Sequence, residues 1–444
     1  MFHRKIPQLP LVAGFLLAAT VLAILVPNKT NAGPIVSGVH VNALPQFARR
    51  YNLKCSACHT IVPVLNEQGI LFQRLGYHLP AALQPGQRAP NLSEIKNGGE
   101  WTLTNNVSVA VADFGYSAER TTQAGTSPSS TSAFQVNSWN NYFAGWLPDT
   151  NFFYHAEFDI VSGGTTNPDL SNACIGYVGG TAKSSWFAVT GREHLQVAQG
   201  TRAAQLYSLL PNSPLLFETM SPTNFVFDQS PVGVNAGYTW ISSRYRNVFA
   251  VSAKVTNGDN ADGSEILTRS NKMSKDVWFD VDYWYAPESG VTFLGYYGKK
   301  DNLAPDGTLF HPHIRRQGIF GNYKLLSTVD FLGGYMHSHD DWLAGAGATP
   351  SNFLADDYYG AVDYYIKQGF AISGRYDLLH QKITGSSGLG LQSTHDWTVG
   401  VNKTLTASGN VIGRIAYSYL SGRDPVAAVK STDKLVQADI AFNF

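Results

Sequence analysis

The feature that most constrains the fold is a series of short segments, from Trp101 to the end of the chain, in which apolar and polar residues alternate. Between 277 and 285 every odd-numbered residue is apolar or aromatic. Asp280 and Asp282 lie on the other face with two tryptophans. Because successive side chains of a β-strand point to opposite faces, this pattern predicts strands with one apolar and one polar side.

Sixteen such segments are predicted after the first 100 residues. They begin near Trp101, Phe134, Asn151, Ala173, Ser184, Gly233, Asn247, Asp276, Val291, His313, Thr328, Asp356, Gly369, Ser393, Gly409 and Lys434. An even number of antiparallel strands, each with an apolar and a polar face, is typical of a transmembrane barrel.

The connections between these segments alternate in length, which supports a barrel. Short ones are predicted at 147–150, 286–290, 366–368 and 406–408, and longer polar ones around 116–133, 257–275, 301–312, 339–355, 381–392 and 422–433. Outer-membrane barrels have short periplasmic turns and long external loops, so both ends of the barrel are expected in the periplasm. A soluble sandwich or propeller is the alternative. The chain has no internal repeat that would suggest blades, and so many surface aromatics would make a soluble sheet aggregate.

The composition agrees with a membrane barrel. The formal net charge is zero, which gives no basic field for nucleic acid. Tyr (22), Phe (24) and Trp (9) are abundant while charged residues make up only 14%. The terminal Phe444 resembles the assembly signal of bacterial outer-membrane proteins. Outer-membrane lipid is therefore an expected partner.

Residues 1–32 are predicted to be an export signal. A short basic start at Arg4 and Lys5 precedes an apolar run from Leu11 to Val26, and small residues before Gly33 provide a cleavage site. The alternative, a transmembrane anchor, is disfavoured because the run is short for a span of about 20 residues.

A second sequence motif indicates covalent attachment of a cofactor. Cys55, Cys58 and His59 form C-x-x-C-H, the attachment pattern of a c-type haem. Two thiols at this spacing add across the haem vinyl groups, and the next histidine supplies an axial nitrogen. A disulfide or half a zinc site is the alternative. A zinc ribbon needs a second ligand pair, and only Cys174 remains.

Residues 33–100 are predicted to form a small α-helical cytochrome c domain with its linker, before a barrel domain at 101–444. A helical pattern follows Pro63 and places Leu71, Leu75 and His78 on one face. His78 is thus a candidate distal iron ligand. His40, Met220 and an open or water-bound position remain as alternatives.

Two further regions are open to more than one interpretation. Residues 192–232 are rich in proline and leucine, and are expected to fold into the lumen, to pack on the haem unit or to form an external flap. The pairs Asp340–Asp341 and Asp356–Asp357 could attract a divalent cation, although acidic pairs of this kind more often lie on a solvated loop.

The N-terminal residues resemble the fused outer-membrane cytochrome–porins. The run 44–50, the haem motif with Thr60, then Pro63, Leu65, Asn66, Gly69, Phe72, Gly76 and Tyr77 carry the resemblance over about 40 residues. In that family a mono-haem c-type domain is joined to a barrel of about sixteen strands. The resemblance implies that Cys55 and Cys58 hold the haem and that His59 is the proximal ligand.

The resemblance also implies a function. The family's members are held to oxidise ferrous iron at the cell surface and to pass the electron inward. The expected activity is electron transfer from extracellular Fe(II), or another donor, through one haem c to a periplasmic c-type cytochrome or copper protein. If the chain is an enzyme, it would be an oxidoreductase of this type. The alternative is a solute porin with a haem-containing plug or redox gate.

Overall fold

The computed structural model describes part of the chain. The described residues are 57–61, 64–66, 69, 72, 109–146, 150–162, 165–181, 183–193, 209–210, 214–215, 231–242, 247–257, 275–286, 289–299, 302–303, 309–310, 313–326, 328–342, 351–367, 369–384, 392–406, 411–423 and 430–443. The predicted export signal, Cys55, His40, His78, Met220 and Phe444 lie outside them.

Twenty strands occur in the described residues. In chain order they are β1 His59–Ile61, β2 Val64–Leu65, β3 Val109–Gln123, β4 Ser129–Trp146, β5 Phe152–Ser162, β6 Thr165–Thr181, β7 Ser184–Arg192, β8 Val232–Ile241, β9 Val248–Thr256, β10 Asp276–Ala286, β11 Ser289–Lys299, β12 Asn302–Leu303, β13 Leu309–Phe310, β14 His313–Leu325, β15 Val329–Trp342, β16 Ser351–Lys367, β17 Phe370–Thr384, β18 Gln392–Thr404, β19 Val411–Arg423 and β20 Lys430–Asn443.

Within the described chain, sixteen of these strands close into one antiparallel barrel. The order is β10-β11-β14-β15-β16-β17-β18-β19-β20-β3-β4-β5-β6-β7-β8-β9, and β9 pairs back onto β10. The last strand joins the first barrel strand, with Phe442 opposite Ala112. Closure leaves no unpaired strand edge. The predicted sixteen-stranded antiparallel barrel is confirmed.

The predicted strand boundaries are less accurate than the strand count. The region 116–133 was expected to be a long loop, but β3 continues to Gln123, β4 begins at Ser129, and a tight turn joins them. Similarly β15 and β16 extend into the predicted loop at 339–355. These segments are rich in Ser, Thr and Asp, so composition resembles a loop, yet ladder pairing with both neighbours keeps them extended.

The two faces of the barrel follow the sequence alternation. In β10, Asp276, Trp278 and Asp280 are buried, whereas Val277 and Phe279 are exposed. The exposed side chains point outward and are largely apolar or aromatic, and examples from other strands are Trp186, Trp240, Phe293, Tyr297, Tyr358, Ile372, Trp397, Ile415 and Ile440. The predicted apolar outer face and polar inner face are therefore confirmed.

The barrel has two distinct ends. At one end, called here the short-turn end, pairs of strands are joined by connections such as 287–288, 326–328 and 368–369. Longer connections, including 193–231 and 257–275, join strands at the other end, called here the long-loop end. Strand β3 begins, and β20 finishes, at the short-turn end. The start of the first barrel strand and the finish of the last one therefore lie on the same side as the short turns, as predicted.

The small strands lie outside the barrel ladder. Strands β1 and β2 pair as a hairpin that begins at His59, and β12 pairs with β13 inside a long connection. Gly69 and Phe72 have helical backbone conformation. No helix in the described residues is both long and apolar enough to cross a membrane.

Candidate functional site in the barrel mouth and lumen

The second half of the haem motif is held in a compact turn. Asn66 donates its backbone N–H to the Cys58 carbonyl at 2.9 Å. Its side-chain amide donates to the Ala57 carbonyl at 3.2 Å, and its side-chain oxygen accepts the Gly69 N–H at 3.1 Å. One asparagine therefore fastens the motif to the segment that follows it.

Gly69 completes this turn because it has no side chain. A Cβ at this position would overlap the Cys58 carbonyl oxygen and would lie 2.7 Å from Leu65 Cδ2. Contacts this close do not occur between real side chains, so any larger residue would displace the backbone of Cys58. Asn66 and Gly69 are among the residues that carry the family resemblance, and both contact the haem motif directly.

The described donor set fits a c-type haem. Cys58 is partly buried, and the partly buried His59 follows it directly. A thiol beside an imidazole provides one thioether link and one axial nitrogen, and Cys55 would supply the second link. The predicted distal candidates lie outside the described residues, so His78, His40 and Met220 remain predictions.

The motif lies at the short-turn end of the barrel. Leu65, in the strand that pairs with His59, packs against the buried cluster of Ile241, Val248 and Trp284. These three are cross-strand neighbours on the inner wall, at the short-turn ends of β8, β9 and β10. The haem motif is thus docked at the opening of the lumen at the short-turn end, where β3 begins and β20 finishes.

The segment 193–231 joins β7 to β8 and is called here the lumen strap; its described residues Leu209 and Leu215 lie inside the barrel. Leu209 is 2% exposed and packs against Tyr365 and Ala371 of the inner wall. Leu215 packs against Phe353, Ala355 and Leu379. Its backbone N–H donates to the Asp377 carboxylate. Of the three interpretations of this segment, the structure supports insertion into the lumen.

The lumen strap reaches the opposite wall. It starts at β7 and its leucines contact β16 and β17, and seven strands separate β7 from β17 in either direction around the ring. Leu209 lies near the short-turn end, beside the turn at 368–369, while Leu215 lies nearer the long-loop end. Leu209 and Leu215 therefore lie against the wall opposite β7, at two different depths of the lumen.

Charged side chains of the inner wall are buried. Asp282, Asp340 and Asp377 are each exposed by 1% or less. Several are held in ion pairs: Arg316 with Asp340, Arg375 with Asp377 and Asp396 at 2.6 and 3.0 Å, Lys254 with Glu193 at 3.2 Å, and Arg414 with Asp113 and Asp439. Side chains lining a wide water-filled pore would be exposed, so these inner-wall side chains lie against protein rather than open solvent.

Arg414 fastens the seam where the barrel closes. It lies on β19, donates from Nε to Asp439 of β20 at 2.6 Å, and also donates to Asp113 of β3. One guanidinium thereby joins three consecutive strands that include the first and last of the barrel. The sequence gives no signal for this contact, because 301 positions separate Arg414 from Asp113.

The acidic pairs singled out in the sequence are not loop residues. Asp340, Asp341, Asp356 and Asp357 all lie in strands, and alternation sends Asp340 and Asp357 inward and their neighbours outward. The expectation of a solvated loop surface was wrong, because strand pairing extends through both pairs. Among the described residues no three His, Cys, Asp or Glu side chains converge on a common metal position.

Comparison with known proteins identifies the fold. No protein-family profile matches the sequence, and no curated protein matches it. The structure is similar to an anion-selective porin from Comamonas acidovorans, with a TM-score of 0.54 and 11% identity over 76% of this chain and 99% of that one. It is also similar to OmpF of Salmonella typhi in complex with daunomycin, with a TM-score of 0.51 and 16% identity over 76% and 98%. The protein therefore has a porin-like barrel fold.

Proposed function

We propose that this protein is an electron-transfer protein of the bacterial outer membrane, in which a porin-like barrel holds one haem c at its periplasmic mouth. The observation that carries the proposal is the docking of the haem-motif hairpin, through Leu65, on the inner wall at the short-turn end. Short turns face the periplasm in outer-membrane barrels, so the motif is assigned to that side.

The surface of the barrel supports the membrane location. Its outward side chains are largely apolar or aromatic, and aromatic pairs such as Tyr283 with Tyr285 and Trp397 with Tyr419 lie toward opposite ends of the strands. Aromatic residues concentrate at both membrane–water interfaces of such barrels. An apolar belt of this size would be unstable in water.

The residues of the motif would bind and orient the cofactor. Cys55 and Cys58 would anchor the haem, His59 would give an axial nitrogen, and Asn66 holds the Cys58 peptide in place. When bound, a haem supplies a one-electron redox centre. The donor, for which we propose extracellular Fe(II), loses one electron and becomes Fe(III), and a periplasmic c-type cytochrome or copper protein gains that electron.

The lumen strap favours electron transfer over bulk diffusion. Leu209 and Leu215 of the lumen strap pack on the inner wall opposite β7, and inner-wall carboxylates are buried. A strap that excludes most solutes would let the donor give up its electron inside the barrel, near the haem, without entering the periplasm.

A solute channel with a haem-bearing plug is the second candidate. The similarity of the fold to porins favours it. In this interpretation the lumen strap restricts rather than blocks the pore, and the haem acts as a gate. The two candidates differ in whether Fe(II) reduces the haem and in whether solutes cross the barrel.

One pair of measurements separates them. The full chain, expressed with haem-attachment machinery, is titrated with Fe(II) over a range of pH while the haem absorption is recorded, and the same preparation is placed in liposomes for solute flux. Electron transfer predicts reduction of the haem with little flux. If Fe(II) leaves the haem oxidised at every pH while solutes pass freely, the channel interpretation replaces it.

A further inference from the structure

A buried acidic residue on the inner wall of β16 has no hydrogen-bond partner in the described part of the chain. Asp357 is 3% exposed, and neither of its carboxyl oxygens is bonded to another described residue. Such groups are rare in folded proteins, and where they occur a bound ion or water usually explains them. A bare buried carboxylate would cost several kcal/mol.

The surroundings of Asp357 add negative charge. Asp377 lies within electrostatic range of it, and cross-strand pairing places Asp377 level with Asp396. Arg375 is also within range of Asp357, but it donates to Asp377 at 2.6 Å and to Asp396 at 3.0 Å. The carboxyl groups of Asp357, Asp377 and Asp396 therefore have one guanidinium nearby. That guanidinium donates its hydrogen bonds to the other two and not to Asp357.

Two more buried oxygens lie beside Asp357 on the inner wall. Tyr359 is two residues from Asp357 on the same face of β16 and pairs directly across from Asp377. It is 7% exposed, and among the described residues its hydroxyl has no hydrogen-bond partner. One oxygen of Asp377 is likewise buried and has no partner in the described part of the chain. A carboxylate, a second carboxylate oxygen and a phenol are thus neighbours on one part of the wall.

The lumen strap covers this group. Leu215 packs on Phe353 and Ala355, which precede Asp357 on the inner face of β16, and its backbone N–H is bonded to Asp377. The group consequently lies between the strap and the wall. In this position a bound ion would be shielded from bulk salt.

We propose that Asp357, with Asp377 and the Tyr359 hydroxyl, forms a cation-binding site in the lumen that takes a small divalent cation with part of its water shell. Hard divalent cations of the magnesium type bind through one or two carboxylates and keep several waters. The site needs only the barrel and does not depend on the haem.

The test measures binding of Mn²⁺, a redox-stable probe that is visible by electron paramagnetic resonance while free. The full chain in detergent, stripped with chelator, is expected to bind Mn²⁺ saturably, and Mg²⁺ is expected to displace it. Asp357→Asn removes the charge and is expected to weaken binding by about tenfold or more. The matched control is Asp356→Asn, the adjacent outward-facing residue, which is expected to bind as the wild type does.

Two results would overturn the proposal. One is the absence of saturable binding below about 1 mM Mn²⁺ in the wild type. The other is equal binding by the wild type and Asp357→Asn, which would mean that Asp357 is a neutral acid. If Asp357→Asn fails to fold, Tyr359→Phe serves instead: it keeps the ring, loses the hydroxyl and should weaken binding several-fold, and unchanged affinity contradicts the site.

Discussion

The Asn66 backbone N–H donates a hydrogen bond to the Cys58 carbonyl at 2.9 Å, so the haem motif is closed on its own downstream segment. Leu65, the residue before Asn66, packs on the inner wall of the barrel. These adjacent residues have different tasks. Asn66 shapes the motif, and Leu65 places it at the barrel mouth.

Replacing Asn66 tests the shaping of the motif. Asn66→Ala removes the amide bonds to Ala57 and Gly69 and should loosen the turn by about 1 kcal/mol for each bond lost. Covalent haem per polypeptide, measured by the pyridine haemochrome method, is expected to fall. Asn66→Asp keeps the acceptor for the Gly69 N–H, so its haem content should lie between that of the wild type and that of Asn66→Ala. Full haem content in both variants would contradict the role of Asn66.

Gly69→Ala tests the close approach to Cys58. The added Cβ overlaps the Cys58 carbonyl oxygen, and overpacking of this kind costs about 1–3 kcal/mol. We expect a lower haem content or a shifted absorption spectrum. Gly360→Ala is the matched control, since a Cβ there meets no atom within 4 Å. Equal haem content and spectra in the two variants would show that the turn tolerates the extra atom.

Loosening the lumen strap should open the barrel. Leu209→Ala with Leu215→Ala removes two buried anchors, each worth about 2–5 kcal/mol in a packed core. Single-channel conductance in planar bilayers is expected to rise above that of the wild type. Ile372→Ala, which shortens an exposed outward side chain on β17, should leave conductance unchanged. A double variant that conducts no better than the wild type would show that the strap does not limit passage.

The seam of the barrel depends on Arg414. Arg414→Gln leaves Asp113 and Asp439 without their cation, and breaking a buried pair costs about 3–5 kcal/mol. Because Arg414 is only partly buried, we expect a smaller loss that lowers the temperature at which the folded band disappears in semi-native electrophoresis. Arg315→Gln is the control, since Arg315 is exposed on the outer face and its guanidinium lies 5.7 Å from the Tyr297 ring centroid. If the folded band disappears at the same temperature for Arg414→Gln and Arg315→Gln, Arg414 does not stabilise the barrel more than an exposed arginine does.

The barrel itself could be predicted because alternation is a local property. A strand that separates lipid from protein needs apolar residues at every second position, and this alternation can be detected in each segment by itself. For β10 the inward and outward residues were assigned correctly from the sequence. Boundaries were less certain, as in β3 and β4, because a polar strand end and a loop share the same composition.

The haem motif could also be recognised from its sequence, because two thiols and an imidazole at fixed spacing define the attachment chemistry. The turn that holds the motif could not be predicted. Asn66 and Gly69 are among the residues that carry the family resemblance. Only the tertiary structure shows that Asn66 donates to the Cys58 carbonyl and that Gly69 approaches the same carbonyl closely. The distal ligand stays a prediction, with His78 as the first candidate.

The sequence by itself determined that the chain alternates in sixteen strands and that it has the attachment pattern of a c-type haem. Only the tertiary structure decided that the lumen strap crosses to the opposite wall, that Leu65 docks at the short-turn end and that Asp357 is buried beside Asp377. The physical reason is the range of the interactions. Alternation and motif spacing act over a few residues, whereas lumen contacts join positions far apart in the chain that meet only once the barrel closes.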